Sequence, residues 1–493
     1  MKSPLIFLVL SGLQAAFAAD LPNRDEFYWL SEINKATIVI NHQEGLLDRN
    51  QAQKFGKTLQ EVIDEGSQLV KKRPSTVISY EPLLIAKGGL DVTLIHAGRS
   101  SQDMHATYRS AMLRDDLIVL SNQLNQTMNS IWLLAEKNQQ TIVPNYTNGV
   151  GAQPNSYAHY LLGYLAGFER DQQRIREAYE RIDRCAMGTT VLNGSSWPLN
   201  RQKMSDYLGF AQIVDNAYDA SQISSTDEPV EVAEIIISIA LHASNLIEDI
   251  TTQYAQTRPW ILLTEGGKNT YVSSAMPQKR NPGLLIDTRA DASNSISNAL
   301  SPIIKAHNIQ AGMSDAKNQK QNREMVQGAV KFIKELDEVI NALVIDPNRA
   351  LEELNNDWTA SQEIADLLMR KYHIPFRVGH HFASNIVEYS KKFNIKPMDF
   401  TYEKAQMIFK ESIVESEISG PLPLSEIEFK EALNPTQIVN NRKTVGGSQP
   451  SEIRRMLASQ KQKLLAQSQW SKNKSEIINA SLNKLDQDFQ SLK

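Results

Sequence analysis

The stretch YAHYLLGYLAGFERDQQRIREAYERIDRC, residues 157–185, decides the fold class of this 493-residue chain. Its apolar side chains recur at alternating intervals of four and three residues, which places them on one stripe of a helix. The members of this stripe are Leu161, Leu165, Phe168, Ile175, Tyr179 and Ile182. Gln172 is the one polar break in the series. Such a seam is typical of long helices packed side by side in a bundle.

Helical spacing of apolar residues recurs elsewhere in the chain. It predicts further helices within residues 115–137, 232–254, 284–306 and 322–343. Alternating patterns of period two, which would indicate strands, are scarce and short. The sequence therefore predicts an all-α fold built as a bundle of long helices.

Residues 232–254 are apolar on most faces of their predicted helix, and this has a consequence for assembly. The apolar residues there are Ile235, Ile236, Ile237, Ile239, Ala240, Leu241, Leu246 and Ile247. One chain is not expected to cover all of these faces, so the pattern favours a bundle shared between several chains. The alternative is a large monomeric helical domain.

The N-terminus has the pattern of a secretory signal. Lys2 precedes an apolar run over residues 5–13, and Ala16-Phe17-Ala18 forms a small-residue cleavage site. We expect cleavage after Ala18 and a periplasmic or secreted protein. The run is too short to span a membrane as a helix, and no later segment is predicted to do so.

The remaining chain is predicted to contain three helical regions. These are an N-terminal domain at 19–104, a central long-helix bundle at 105–355 and a C-terminal domain at 356–493. No Pro- or Ser-rich linker separates them, so the joints are expected to run from helix to helix.

Composition excludes several classes of function. The chain has 52 basic and 56 acidic residues, a balance that argues against a nucleic-acid partner. Cys185 is the only cysteine and cannot form an internal disulfide. The histidines show no metal-type spacing, and the adjacent His380 and His381 cannot share one helical face. We therefore expect neither a metal nor another cofactor.

A loop rich in polar residues lies between the helices predicted at 232–254 and 284–306. It reads GGKNTYVSSAMPQKRNP, residues 266–282. Paired glycines permit movement, prolines interrupt helices, and serine, lysine and asparagine are suited to gripping and deprotonating a carboxylate substrate. The alternative is a plain connector.

The second half of this loop, SSAMPQKRNP at 273–282, resembles the signature loop of the fumarase/aspartase superfamily. Other segments resemble argininosuccinate lyase in the same order along the chain. They are HAGRSSQD at 96–103, YTNGVGAQP at 146–154, CAMG at 185–188, IPFR at 374–377 and TVGGS at 444–448. By these motifs the chain is identified as an argininosuccinate lyase-like member of the superfamily, with the resemblance spanning about residues 78–457.

The resemblance implies an enzyme that eliminates a group from a succinyl dicarboxylate and releases fumarate. It also implies a homotetramer whose active sites combine regions from three chains. By position, Ser273 is the base, while Lys279 and Asn281 hold the carboxylate that gains charge. The matching candidates for substrate binding are Arg99, Ser100, Ser101, Gln102, Thr147, Asn148, Gln153, Met276 and Lys320.

One departure from the family pattern concerns the general acid. Asn148 stands where family members with a general acid have histidine, and asparagine cannot donate a proton and keep its role. Loss of a positioned acid typically lowers the rate about 10²- to 10⁴-fold. Either the leaving group departs unaided or another group donates the proton. His159 is the nearest histidine, although a structural imidazole is the alternative reading.

Other departures concern the substrate. Ser101 replaces an arginine of argininosuccinate lyases, Gln222-Ile223-Ser224-Ser225 replaces Ser-Asp-Arg-Asp, and Gly312 and Lys317 replace tyrosine and glutamine. These changes put a guanidinium-bearing substrate in doubt. The export signal agrees, because arginine biosynthesis is cytoplasmic.

The expected function is β-elimination with carbon–nitrogen cleavage of an argininosuccinate-like or N-substituted aspartate substrate. Two alternatives stay open at this point. One is a catalytically silent structural or binding paralogue that has lost the acid. The other is a cycloisomerase of the carboxymuconate type. The Ser-Gln-Asp run at 101–103 resembles the first conserved region of those enzymes.

Overall fold

The computed structural model describes residues 24–68, 73–414 and 416–493. The predicted signal at 1–18 lies outside the described residues. Helices make up 69% of the structure, which confirms the all-α prediction.

The helices and short strands are numbered here in chain order. The α-helices are α1 (Glu26–Gln43), α2 (Arg49–Gly66), α3 (Val77–Gly88), α4 (Ser101–Lys137), α5 (Tyr157–Ile182), α6 (Arg201–Tyr207), α7 (Ser224–Tyr254), α8 (Gly283–Ala306), α9 (Gln319–Ala342), α10 (Pro347–Asn356), α11 (Ser361–Tyr372), α12 (Phe376–Phe393), α13 (Tyr402–Ser412), α14 (Glu426–Ala432), α15 (Pro435–Asn440) and α16 (Pro450–Leu492). The strands are β1 (Ile142–Thr147), β2 (Val150–Ser156), β3 (Arg184–Cys185), β4 (Gln212–Ile213), β5 (Ile261–Leu263), β6 (Tyr271–Val272), β7 (Arg280–Asn281) and β8 (Leu343–Ile345). They pair as β1–β2, β3–β4, β5–β8 and β6–β7.

The five helices predicted from periodicity are confirmed as α4, α5, α7, α8 and α9. They form the central bundle, in which α4 packs against α5 and α9, and α7 packs against α5 and α8. A π-helical turn at Asp219–Ile223 leads into α7. The bundle thus brings the ends of several long helices next to the loops that carry the candidate site.

The polar break at Gln172 is a hydrogen-bonded joint between helices. Its amide nitrogen donates to the Ser121 carbonyl at 2.8 Å, and its amide oxygen accepts from the Ser121 hydroxyl at 2.9 Å. Gln467 of α16 also donates to that hydroxyl at 2.7 Å. A buried amide satisfied in this way fixes the register of α4, α5 and α16.

The last helix, α16, belongs to the main hydrophobic core although it ends the chain. It packs against α1 and α4, and its carbonyls at Leu457 and Leu464 accept from Trp132 and Asn125. A second hydrophobic core lies within residues 358–433. The region predicted at 356–493 therefore contributes to two cores, and the predicted boundary after residue 104 falls inside α4.

One expectation about α7 was wrong. No segment after the signal was predicted to be long and apolar enough to span a membrane, yet Asp219–Tyr254 meets that description. Half of its most apolar stretch is buried within this chain, as in a core helix. Leu241 on the same helix stays 53% exposed, which leaves an apolar face that the single chain does not cover.

Glu228, near the start of α7, is a buried carboxyl group. The Ser110 hydroxyl donates to it at 2.8 Å. Burial raises the pKa of Glu228 from 4.5 to about 8 and outweighs that hydrogen bond, which lowers it. Because the folded-state pKa lies above the unfolded one, folding takes up a proton. The free energy of unfolding should fall as pH rises from about 4.5 to about 8.

Glu228→Gln is expected to stabilise the protein above about pH 8 and to leave it nearly unchanged below pH 5. The amide imitates the protonated carboxyl and cannot become charged, so a gain on the order of a few kcal/mol is expected at high pH. Thermal unfolding midpoints measured across this range test it. Glu234→Gln, an exposed change on the same helix, is the control. Parallel curves for wild type and Glu228→Gln would contradict the assignment.

Candidate active site

The signature loop forms a small hairpin that projects from the bundle. Strands β6 and β7 pair antiparallel, with Tyr271 opposite Asn281 and Val272 opposite Arg280. The Ser273 amide donates to the Lys279 carbonyl at 3.2 Å and closes the tip. The spacing of the motif therefore places both ends of the reactive segment side by side.

Ser273 is held with its hydroxyl oxygen facing backbone donors. Its Oγ accepts from the Met276 amide at 3.2 Å and from the Ala275 amide at 3.4 Å. Amide donors aimed at one oxygen stabilise negative charge on it. This geometry suits a serine that must act as a base, although the same turn also occurs in loops without chemistry.

The hairpin is hydrogen-bonded to α7 and to the segment before it. That segment also contains the paired glycines. The Tyr254 hydroxyl of α7 donates to the Arg280 carbonyl at 3.0 Å, and the Arg280 guanidinium donates to Glu265 at 3.0 Å. Gly266 and Gly267 have φ angles of 93° and 56°, in the left-handed region that favours glycine. These hydrogen bonds hold the hairpin in this position, while the two glycines allow the sharp turn that leads into it.

The other candidates on the loop differ in exposure. Lys279 and Met276 are exposed, whereas Asn281 is half-buried and its amide donates weakly to the Tyr271 carbonyl at 3.4 Å. Lys279 and Asn281 flank the end of the hairpin that carries Ser273. The backbone of Lys279 is thus paired with that of Ser273, and Asn281 lies two residues further along the chain, in β7.

The second region is the hairpin of β1 and β2, and its turn explains the residue at position 148. Asn148 and Gly149 have φ angles of 53° and 76°, as in a type I′ turn, for which Asn-Gly is a preferred pair. Thr147 and Asn148 are exposed at this tip. Gln153, lower on β2, donates to the Gln362 side chain at 2.6 Å.

A cavity of about 410 Å³ lies between this hairpin and α7. Asn148 lines one wall, while Glu248 and Asp249 line the other. Tyr160 and Tyr164 both donate to the Asp249 carboxylate, at 2.7 and 2.9 Å. Acidic groups repel a dicarboxylate. We therefore expect the substrate to contact Asn148 from the side that points away from Glu248 and Asp249.

His159 lies in the first turn of α5 and contacts the C-terminal part of the chain. Its Nε2 lies 2.9 Å from the Gly446 carbonyl, which can only accept, so Nε2 carries the proton. His159 lines a second cavity of about 260 Å³ together with Gln153. This bond favours the structural interpretation of His159 over the role of proton donor.

The first region begins α4. The Ser100 hydroxyl caps the helix by accepting from the Gln102 amide at 3.0 Å, and it donates to the Thr190 carbonyl at 3.1 Å. Ser101 and Gln102 occupy the first helical turn and are half-buried. The hydrogen bond from Ser100 to Thr190 holds the start of α4 against the segment around residue 190.

Arg99 is placed inside the chain and not on an open surface. Its guanidinium donates to Thr37 at 3.2 Å, and burial lowers its pKa to about 10. The cavity beside it measures about 30 Å³, room for water only. Arg99 therefore anchors the first region in this chain and does not face a space that could hold a dicarboxylate.

Asp103 is a residue of this region that the sequence analysis did not select. Its fully buried carboxylate accepts from the backbone amides of Ser100, Gly188 and Thr190, at 2.8 to 3.1 Å. Burial raises its pKa to about 6 despite these bonds, which lower it. The sequence already indicated a role for Asp103, because Ser100-x-x-Asp103 is a capping-box pattern. Asp103 positions the candidate residues at the start of α4.

The remaining candidate, Lys320, is exposed and lies 3.8 Å from Glu324. One chain does not bring the three regions into a single described cavity. Arg99, Asn148 and Gln153 line three separate cavities, and the residues of the signature loop lie outside all three.

Two family models match the chain. The model described as Lyase matches residues 47–292, and the model described as Argininosuccinate lyase C-terminal matches residues 358–440. Together they cover α4, α5 and α7 of the bundle, the signature loop and the second hydrophobic core.

Known relatives agree with these matches. Argininosuccinate lyase of Geobacillus thermodenitrificans is 30% identical over 78% of this chain and 81% of its own length, and that of Methanosarcina barkeri is 27% identical over 88% and 86%. A crystal structure of EDDS lyase with formate superposes with a TM-score of 0.87 at 22% identity, covering 95% and 92% of the two chains. The lactonizing enzyme for 3-carboxy-cis,cis-muconate from Pseudomonas putida shares the fold with a TM-score of 0.63 at 15% identity, covering 88% and 94%. The chain belongs to the argininosuccinate lyase-like branch of the fumarase/aspartase superfamily and is a carbon–nitrogen lyase.

Proposed function

We propose that this lyase cleaves the carbon–nitrogen bond of an N-substituted aspartate and releases fumarate and an amine. The observation that carries the proposal is the hairpin at 271–281. It holds Ser273 with two backbone donors on its oxygen and places Lys279 and Asn281 beside it. The argininosuccinate lyase relatives support the same reaction class.

In the proposed reaction Ser273 reacts as its alkoxide, removes a proton from the carbon next to the carboxylate and becomes the neutral hydroxyl. The electron pair of that C–H bond moves onto the carboxylate, which becomes a dianion. Lys279 and Asn281 stabilise this charge, because they bring a cation and an amide donor on the side of the hairpin opposite the base. The dianion then collapses to form the C=C bond of fumarate, and the nitrogen leaves with the electron pair of the broken C–N bond.

The departing nitrogen must gain a proton, and Asn148 cannot supply it. A neutral His159 has one ring proton, and it already donates that proton to the Gly446 carbonyl. We therefore propose that the leaving group takes its proton from water. Its own stability then controls the rate of departure.

The substrate class is proposed from the chain's departures and from its neighbours. The changes at 101, 222–225, 312 and 317 remove residues expected for argininosuccinate. The structural neighbour EDDS lyase is named for a different substrate from that of the argininosuccinate lyase relatives. An N-substituted aspartate without a guanidinium group fits this combination.

Incubation with argininosuccinate, aspartate and a series of N-(carboxyalkyl)aspartates, read as fumarate absorbance, tests the proposal. We expect fumarate from at least one N-substituted aspartate and little from argininosuccinate. No fumarate from any of them would favour the silent paralogue. Conversion of a carboxymuconate to its lactone without fumarate would favour the cycloisomerase.

We also propose that the active enzyme is a homotetramer with sites shared between chains. The separate placement of the three regions within one chain supports this, and so do uncovered apolar side chains. Leu241 on α7 and Ile304 on α8 are 53% and 69% exposed, on two helices of the central bundle. A neighbouring copy of the bundle would bury them.

Light scattering is expected to give the mass of four 55 kDa chains. The reason is the uncovered apolar face of α7, whose burial requires other copies. Leu241→Glu should weaken the assembly, while Leu262→Glu, a similarly exposed leucine in β5, is the control. A mass near that of one chain in wild type would remove the shared-site proposal.

The proposed location is the periplasm or the extracellular space, on the strength of the signal at 1–18. Sequencing of the mature N-terminus would support it if the chain starts at Ala19. An intact Met1 on the purified native protein would count against it.

A further inference from the structure

Two cations without an acidic partner lie beside the π-helical turn at Asp219–Ile223. Lys317 is only 4% exposed, and its ammonium donates to the Ser221 carbonyl at 3.1 Å. Arg109 of α4 lies near it, and its buried Nε has no hydrogen-bond partner. An ammonium group has three protons to donate, so at least part of the capacity of Lys317 is left for a ligand.

The electrostatics of this pair are unfavourable in the unliganded chain. Burial lowers the pKa of Lys317, and the positive charge of Arg109 lowers it further. Burial also lowers the pKa of Arg109. Within residues 24–68, 73–414 and 416–493, no carboxylate lies within ion-pair distance of either group. Buried charges are normally paired, because an unpaired one is costly to desolvate.

The pair is connected to the first candidate region through short contacts. Lys317 binds the Ser221 carbonyl, and the Ser221 hydroxyl donates to the Val191 carbonyl at 2.8 Å. The preceding residue, Thr190, accepts from the Ser100 hydroxyl at the start of α4. Hydrogen bonds and one peptide link therefore connect Lys317 to Ser100, a candidate for substrate binding.

We propose that Lys317 and Arg109 bind a carboxylate carried by the nitrogen substituent of the substrate. This rests on the proposed function and narrows it from N-substituted aspartates to N-(carboxyalkyl)aspartates. A carboxylate pairs with both cations, whereas the guanidinium of argininosuccinate is repelled by them. The site thus selects by the charge of the leaving group, through attraction of one class and rejection of the other.

Calorimetric binding of two matched ligands tests this charge selection. N-(2-carboxyethyl)aspartate and N-propylaspartate have substituents of similar length, and only the first carries the extra carboxylate. Ser273→Ala protein is used so that turnover does not interfere. We expect the carboxylate ligand to bind about ten- to hundredfold more tightly, as for a hydrogen bond between charged groups.

Lys317→Gln is expected to remove most of that ratio and to leave binding of N-propylaspartate nearly unchanged. Arg109→Gln is a second variant, should the first fail to fold. Lys334→Gln, at an exposed position on α9, is the control. In the enzyme with Ser273 intact, the same two variants should raise KM for the carboxylate substrate more than they lower kcat.

Equal binding of the two ligands would overturn the inference, as would a preference that survives both Lys317→Gln and Arg109→Gln. Fumarate release decides the proposed function separately. A carboxylate preference that depends on Lys317, without fumarate from either ligand, would uphold the anion site and contradict the lyase reaction on these compounds.

Discussion

Ser273→Ala should lower kcat roughly 10²- to 10⁴-fold on every substrate that the wild-type enzyme converts, as expected for loss of a positioned base. The variant removes one oxygen, whose contacts are to the amides of Ala275 and Met276 in the same exposed turn. The hairpin strands, the Tyr254 anchor and the bundle do not depend on that oxygen. The fold and the oligomeric state should therefore be unchanged.

The comparison with Ser274→Ala makes this measurement specific. Ser274 is exposed in the same loop, so Ser274→Ala removes a neighbouring hydroxyl and leaves the proposed base in place. Steady-state kinetics of both, with circular dichroism and light scattering, complete the test. Comparable kcat values for wild type and Ser273→Ala would show that another group takes the proton.

Asn148→His is expected to introduce a general acid and to change how the rate depends on the leaving group. In wild type the rate should fall steeply as the amine becomes more basic, because no proton assists its departure. The histidine should flatten this dependence and accelerate poor leaving groups by up to about 10²-fold. It should also add a limb near pH 6.5 to the kcat profile, the ordinary imidazole pKa being about 6.5.

The backbone at position 148 permits this substitution. Its φ of 53° is left-handed, a region where histidine is tolerated better than most residues. Asn394→His, exposed and also left-handed with φ 52°, controls for backbone strain. Flat leaving-group dependence already in wild type, together with no gain in Asn148→His, would mean that another donor acts. His159→Gln would then be the next variant.

The long helices were predictable because their apolar residues repeat with helical period. The final helix, Pro450–Leu492, was not predicted individually; three of its ten buried residues are polar and interrupt the apolar series. Gln460, Gln467 and Ser471 are buried there, and partners far away in sequence satisfy Gln467 and Ser471. Apolar spacing alone cannot show that buried polar residues of a helix are satisfied by such long-range hydrogen bonds.

The sequence also distinguished the signature loop as a polar segment between two long helices, and the structure confirms that placement. Two other features could be seen only in the folded chain. The Asn148-Gly149 pair carried a readable turn signal, but its meaning as a type I′ tip appears only with both positive φ angles. The sequence showed that Lys317 replaces glutamine but not that it is buried beside Arg109. Burial joins residues more than 200 positions apart, a separation that no local pattern encodes.

Mixing inactive variants tests most directly the claim that this lyase assembles its active site from different chains. Ser273→Ala and Thr147→Val change the two hairpins, and each alone should be nearly inactive. Refolded together, they should recover about a quarter of wild-type activity, because random mixing leaves that share of sites with both residues intact. Ser273→Ala mixed with Lys279→Ala should recover none, since both changes fall on one loop. Recovery by neither mixture, with mixed tetramers demonstrated, would contradict the shared site.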